Sequence, residues 1–127
     1  MTTSAEERVR ALTQRMLRKK LYVVFSKPKT GPDRLAPHLP AHLEYMIGLE
    51  KDGLVFGSGP LTEEGGALRG EGMTILRTTT AEEARKIAER DPFYTNGLRE
   101  FEVKEWTLME GSVALRVNYS DQSIELA

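Results

Sequence analysis

The chain of 127 residues is long enough for one ordinary domain and too short for two separate cores. Its 39% hydrophobic and 29% charged residues are typical of a soluble globular protein, and 18 basic residues against 19 acidic ones give no basic field for nucleic acid. No apolar run approaches the roughly 20 residues of a membrane span. The absence of cysteine excludes disulfides and thiolate sites. We therefore expect a cytoplasmic protein without nucleic-acid or membrane partners.

The first 19 residues have the pattern of an amphipathic helix. Ser4 stands three residues before Glu7, which is the spacing of a capping box at a helix start. Val9, Leu12 and Met16 follow at helical spacing and form one narrow apolar stripe. Such a stripe suits docking onto a sheet or a neighbouring subunit, so we treat this helix as an extension that precedes the core.

From residue 20 onward, strand and helix patterns alternate. Thr80 and Glu83 have capping-box spacing, Pro40 suits a first helical turn, and Pro92 marks a helix end. Strands are predicted at residues 21–25, 54–59, 73–78 and 101–108, and helices at 40–53 and 81–91. The order β-α-β-β-α-β predicts an α+β fold of the ferredoxin-like class, with an antiparallel four-stranded sheet and both helices on one face.

The regions outside these elements are predicted to be loops or extensions. Residues 27–32 and 61–70 are rich in proline or glycine, which disfavours regular structure. Residues 113–119 alternate apolar and polar side chains, which predicts a strand with one covered face, so that a C-terminal extension over residues 109–127 joins the fold or a partner. We expect one domain over residues 1–127, with its core at residues 20–108.

Two groups of motifs resemble a known family. The first is His42-Leu43-Glu44-Tyr45-Met46, followed by Gly53 and then Gly59-Pro60. The second is Thr80-Ala81-Glu82-Glu83-Ala84, followed by Asp91-Pro92-Phe93 and Gly97-Leu98. Together, and with a strand ending near Trp106, they resemble the YCII-related family over residues 20–108. The motifs are individually weak, and it is their order and spacing that carry the resemblance.

The resemblance implies a dimeric α+β barrel in which two four-stranded sheets pack face to face. It also implies a histidine and an aspartate in a pocket between sheet and helix, at positions that match His42 and Asp91. Gly59, Pro60, Phe93 and Tyr94 are the expected ligand-binding residues around that pair. Related barrels include isomerases and monooxygenases, and one family member is associated with dehydrochlorination of chlorinated hydroquinones.

The chemistry of His42 and Asp91 suits proton transfer. His42 lies on the helical stripe of Leu39, Met46 and Leu49, and a half-buried imidazole can act as a general acid or base near neutral pH. A structural histidine in a core or interface is the alternative. Asp91 follows a predicted helix, where its charge opposes the helix dipole at a cost of several tenths of a kcal/mol. Pairing with His42 explains that cost, whereas a simple turn residue is the alternative.

We expect neither a metal nor a cofactor. His38 and His42 have the i, i+4 spacing of a helical metal pair, but Pro40 between them disfavours helical geometry at Leu39. Gly57-Ser58-Gly59 runs into a proline rather than into a helix, so a dinucleotide site is not expected. Its glycines instead allow close backbone approach, either to the facing helix or to a ligand.

The leading functional hypothesis is a small-molecule enzyme, such as a lyase or isomerase, in which His42 is the acid or base and Asp91 orients it. The alternatives are a dimer that binds a small ligand without turnover and a dimer with an assembly role only. A homodimer is expected because two helices can cover only one face of an apolar sheet. The two extensions make a larger homo-oligomer conceivable.

Overall fold

The computed structural model describes residues 4–126. Its contacts divide them into two compact units, of which one is residues 20–107 and the other combines residues 4–19 with 108–126. The boundaries of the first unit agree with the core predicted at residues 20–108. The expectation of a single domain stays a prediction, and residues 1–3 and 127 of its range lie outside the described chain.

In chain order the elements are α1 (Ser4–Thr13), β1 (Lys19–Pro28), α2 (Pro32–Leu35), a 3₁₀ turn (Ala36–His38), α3 (Leu39–Lys51), β2 (Val55–Pro60), β3 (Gly72–Leu76), α4 (Ala81–Glu89), α5 (Pro92–Thr95), β4 (Arg99–Leu108), β5 (Leu115–Val117) and β6 (Ile124–Leu126).

The four-stranded sheet has the strand order β2-β3-β1-β4. Strand β3 is antiparallel to both β1 and β2. At one end of β1, Lys20 Nζ donates to Thr107 Oγ1 at 3.0 Å, and beyond its other end Lys29 N donates to Leu98 O at 2.8 Å. These two contacts make β4 antiparallel to β1 as well. The α+β class and the antiparallel sheet predicted from the sequence are therefore confirmed.

Both long helices of this unit cover the same face of the sheet. Tyr22, Val24 and Leu76 are buried on that face together with Ala84 of α4. A small cavity of about 30 Å³ beside them is lined by residues of β1, β3, α3 and α4. In addition, the Tyr45 hydroxyl of α3 donates to the carbonyl of Ile87 in α4 at 2.7 Å. The two helices therefore form one layer, as the sequence predicts.

The second face of the sheet, which the two helices do not cover, exposes less apolar surface than the sequence pattern implies. Leu21, Val23 and Ile75 point away from the helices and are already buried within a single chain. Phe56 and Trp106, which come from the two edge strands, meet edge to face with 6.1 Å between ring centroids. The dimer stays a prediction, and Leu21, Val23 and Ile75 have little area left for a partner to bury.

The N-cap predicted at Thr80 is present at the start of α4, whereas the Glu83 carboxylate bonds Thr79 N, one residue before the position that a capping box uses. Thr80 Oγ1 accepts a hydrogen bond from Glu83 N at 3.1 Å, and the Glu83 carboxylate accepts one from Thr79 N at 3.1 Å. This arrangement satisfies backbone donors that have no partner within the helix. Because it fixes where α4 begins, it also fixes which residues of α4 face the sheet.

Several short features differ from the sequence-based expectations. The first helix ends at Thr13 rather than near residue 19, and Arg18 takes a left-handed φ of 52° that no helix continues through. Helix α2 begins at Pro32, inside the region predicted to be an irregular loop.

The C-terminal extension differs from the prediction in its partner. Strand β5 pairs antiparallel with β6, which the sequence pattern did not reveal, and the two form a separate two-stranded sheet. Leu115 and Val117 are both exposed within the single chain, so the covering of one face by a partner stays a prediction.

The cap at Thr80 gives a first prediction. Thr80→Ala removes the acceptor for Glu83 N and is expected to lower the free energy of unfolding by about 1 kcal/mol. Thr62→Ala is the matched control, because Thr62 is exposed in the loop between β2 and β3, and its loss should change stability by less than about 0.5 kcal/mol. Urea unfolding followed by circular dichroism measures both. Equal stabilities of the two variants would contradict this account of the cap.

A second prediction concerns oligomeric state. Sedimentation velocity at micromolar concentration is expected to give twice the 14.3 kDa mass of one chain. Phe25 is half-buried on the second face of the sheet, and Phe25→Lys should shift the population toward monomer if pairing uses that face. Thr62→Lys makes the same charge change at an exposed loop and should leave the dimer intact. A wild-type monomer would contradict the prediction.

Candidate active site

An open cleft of about 760 Å³ lies between α3 and the strands β2 and β3. Its apolar wall includes Leu39, Leu43 and Ile47 of α3, which are each between 44% and 49% exposed. Aliphatic side chains at this exposure are unusual on one face of one helix, since burying them would be favourable. The volume and the mixture of apolar walls with a few polar groups are those of a small-molecule site.

His42 lines this cleft, and it contacts Asp91, which lines the separate small cavity rather than the cleft itself. His42 Nδ1 lies 2.9 Å from Asp91 Oδ1 and 2.8 Å from Oδ2, and both side chains are 15% exposed. The structure thus brings together the two residues that the sequence singled out, and His42 lines the cleft directly. Because Nδ1 is engaged by the carboxylate, Nε2 is the ring nitrogen left for a bound molecule.

Asp91 is held by the backbone that it caps. Its Oδ1 accepts a hydrogen bond from Phe93 N at 2.9 Å, which makes Asp91 the N-cap of α5. Asp91 also follows the end of α4 as predicted, since Asp91 N donates to Ala88 O at 3.3 Å, but the sequence analysis missed the second helix that Asp91 caps. Helix α4 ends at Glu89, and Pro92 opens a new short helix whose N-terminus favours the carboxylate.

Phe93 fixes the plane of the His42 ring. The two rings stack with 4.3 Å between centroids and an interplanar angle of 20°. Phe93 itself is only 2% exposed, so its position is set by packing. A ring held on one side by a buried aromatic residue and at one nitrogen by a carboxylate has little rotational freedom, which is what orientation for proton transfer requires.

Arg99 is a site residue that the sequence reasoning missed. Its guanidinium carbon lies 4.6 Å from the centroid of the Phe93 ring, and its side chain lines the cleft. Burial lowers the pKa of the Arg99 guanidinium, and the negative charge of Asp91 acts in the opposite direction. A signal was available, because Arg99 occupies the same inward-facing series of β4 positions as Phe101 and Val103.

The other expected ligand-binding residues divide into two groups. Gly59, Pro60 and Phe93 line the cleft. Tyr94 does not, because it packs edge-on against Phe101 at 5.2 Å and lines the separate small cavity. A Cβ atom on Gly59 would meet no atom within 4 Å, so its bare backbone faces open space. Of the two roles considered for these glycines, close approach to the facing helix is not observed.

Two further structural findings bear on the class of site. Within residues 4–126, no three His, Asp or Glu side chains converge as potential ligands of one metal ion. His38 belongs to the 3₁₀ turn that precedes α3 and so lies outside that helix, as predicted, but Leu39 is itself helical, with φ −61° and ψ −44°, although it precedes Pro40. In the part of the chain that is described, no helix has the length and hydrophobicity to cross a membrane.

Comparison with known proteins places this fold in a family. The sequence model of the YCII-related domain matches residues 20–107. The chain belongs to the YCII-related family. The match covers the unit that contains the sheet, the cleft, His42 and Asp91, and the resemblance noted from the sequence motifs is thereby confirmed.

A solved structure with the same fold is the 5-chloro-2-hydroxyhydroquinone dehydrochlorinase from Burkholderia phenoliruptrix, in complex with 2,5-dihydroxybenzoquinone. It is 22% identical to this YCII-related chain, with a TM-score of 0.57, and the alignment covers 68% of this chain and 93% of that one. At this identity the likeness supports the fold alone. No curated protein matches the chain.

The contact between His42 and Asp91 predicts a tautomer. Because Nδ1 faces the carboxylate, the neutral ring is expected to carry its proton on Nδ1 and to leave Nε2 unprotonated. Nitrogen-15 NMR of labelled histidine distinguishes the two tautomers, and His38 provides an internal reference. Asp91→Ala removes the acceptor and should shift the His42 population toward the Nε2-protonated form. An Nε2-protonated ring in the unaltered protein would contradict the geometry.

Proposed function

We propose that this YCII-related protein is a small-molecule enzyme that uses His42 and Asp91 for acid–base chemistry in an elimination or an isomerisation. The observation that carries the proposal is a histidine held by a carboxylate at 2.8 Å on the wall of an open cleft of about 760 Å³. The residues also supply the two groups that oriented proton transfer needs, namely a titratable ring and a fixed acceptor.

In the proposed reaction, His42 Nε2 takes a proton from the substrate. The carboxylate of Asp91 remains ionised and stabilises the imidazolium that forms, so the positive charge is never left unpaired in a half-buried site. In an elimination, the electron pair released from the broken bond to hydrogen expels a leaving group from the substrate. In an isomerisation, the imidazolium returns its proton to a different substrate atom.

The solved dehydrochlorinase supports the elimination form of this proposal. That enzyme shares the fold, and its name describes removal of hydrogen chloride from a chlorinated hydroquinone. We therefore assign this chain the reaction class of a lyase and leave the identity of its leaving group to experiment. The proposal includes a homodimeric enzyme of the cytoplasm, because the lack of cysteine fits a reducing compartment and exposed aliphatic residues favour self-association.

The test removes each member of the pair. Release of chloride from 5-chloro-2-hydroxyhydroquinone, and exchange of carbon-bound protons in a panel of hydroxyquinones in D₂O, are measured for the wild type and variants. His42→Ala and Asp91→Asn are each expected to lower turnover by a factor of about 10²–10⁴, which is the contribution of general acid–base catalysis. The double variant should be little slower than either single one, because the two residues act as one unit.

His38→Ala is the control, since His38 lies outside the pair and should retain full turnover. Circular dichroism and sedimentation confirm that each variant keeps its fold and oligomeric state. Unchanged turnover in His42→Ala would overturn the proposal. Ligand binding that stabilises the protein against heat, with no product formed from any compound in the panel, would favour the alternative of a binding protein without turnover.

A further inference from the structure

Arg99 is a half-buried cation whose side chain has no hydrogen-bond partner within the described chain. Its Nε is fully shielded from solvent and unpaired, and no ion pair within residues 4–126 involves its guanidinium. Its contact within the chain is with the face of Phe93. Buried polar groups in proteins are nearly always satisfied, so a guanidinium in this state calls for an explanation.

Asp91 forms no hydrogen bond or ion pair with Arg99, although the negative charge of Asp91 acts on the Arg99 guanidinium. Both oxygens of the Asp91 carboxylate lie within hydrogen-bond distance of His42 Nδ1, and Oδ1 also accepts from Phe93 N. The carboxylate is therefore committed to the histidine and to the start of α5. Glu50 and Glu71, which also line the cleft, form no ion pair with Arg99 either.

The position of Arg99 makes its nitrogens available to the cleft. A Cβ atom placed on Gly72 would lie 3.7 and 3.9 Å from the two terminal guanidinium nitrogens, so these nitrogens lie next to Gly72. Gly72 and Arg99 both line the cleft. Among the described lining residues, Arg99 is the one permanent cation, and it touches the same phenylalanine ring that holds His42.

We propose that the substrate of this cleft is an organic anion whose charge is shared by two oxygens, and that Arg99 binds those oxygens. The inference rests on the proposed function, because it assigns a substrate class to the same cleft. A planar guanidinium presents paired donors that match a carboxylate, or the two conjugated oxygens of an ionised hydroxyquinone. With the anion at Arg99, the reacting part of the molecule would extend toward His42, which contacts the same Phe93 ring.

Binding is measured separately from turnover, by isothermal titration calorimetry on the full chain. The probes are benzoate and the anion of 2,5-dihydroxybenzoquinone, and their neutral counterparts are benzamide and 2,5-dimethoxybenzoquinone. The wild type should bind each anion more tightly than its counterpart. Arg99→Gln should weaken binding of the anions by roughly 10- to 100-fold, which corresponds to the free energy of hydrogen bonds to a charged group. The affinities for the neutral compounds should stay unchanged.

Two further variants sharpen the assignment. Arg99→Lys keeps the charge but loses the paired donors, so anion binding should fall to a value between those of the wild type and Arg99→Gln. Arg85→Gln makes the same change of net charge on the exposed side of α4, where Arg85 pairs with Glu82, and should not alter binding. If Arg99→Gln fails to fold, a lower anion affinity of Arg99→Lys still tests the proposal.

The outcomes that overturn the inference differ from those that overturn the enzyme. Equal affinity of the wild type for anions and neutral counterparts, absence of anion binding, or unchanged anion binding in both Arg99 variants each rejects it. If His42→Asn loses the anion while Arg99→Gln keeps it, the imidazolium is the anion site and the inference also fails. Turnover that depends on His42 would survive any of these results, because it is measured on a different set of variants.

Discussion

The rest of the site depends on the two contacts that the Asp91 carboxylate makes. It accepts a hydrogen bond from Phe93 N at the start of α5, and it lies 2.8 Å from Nδ1 of His42 in α3. One side chain therefore sets the position of the helix that carries Phe93 and the orientation of the histidine that stacks on it. Since a short helix contributes little stability of its own, this cap couples local folding of residues 91–95 to the geometry of the candidate catalytic ring.

The cleft exists because α3 is covered by the sheet along only part of its surface. Leu49 is buried, as is Leu35 of the preceding helix, whereas Leu39, Leu43 and Ile47 stay about half exposed. Leaving these side chains in contact with water forgoes burial worth on the order of 1 kcal/mol or more each. Such a cost is common where a protein keeps space for a ligand, and the same apolar surface then becomes available to hold that ligand's hydrocarbon part.

Much of this fold could be predicted because its long elements carry strong local signals. The capping residues Thr80 and Glu83, and the apolar run of β1, identify their elements without any tertiary information. His42 and Asp91 were found through motif spacing, although the spacing gave no account of why Asp91 is held in place. Arg99, α2 and β6 were missed for different reasons. An arginine in a strand usually points to solvent, and three- or four-residue elements are decided by contacts distant in sequence rather than by propensity.

The backbone of β2 has two glycines at which a side chain could be added without strain. Gly57 and Gly59 pair with Ile75 and Met73 of β3, and a Cβ atom added at either would touch nothing within 4 Å. Because paired residues project from the same face of a sheet, such side chains would extend the second face, away from α3 and from His42, Asp91 and Arg99. The surface that the sheet presents on that side can therefore change in natural relatives or by engineering while the pair of His42 and Asp91 stays the same, so surface and chemistry have separate routes of divergence.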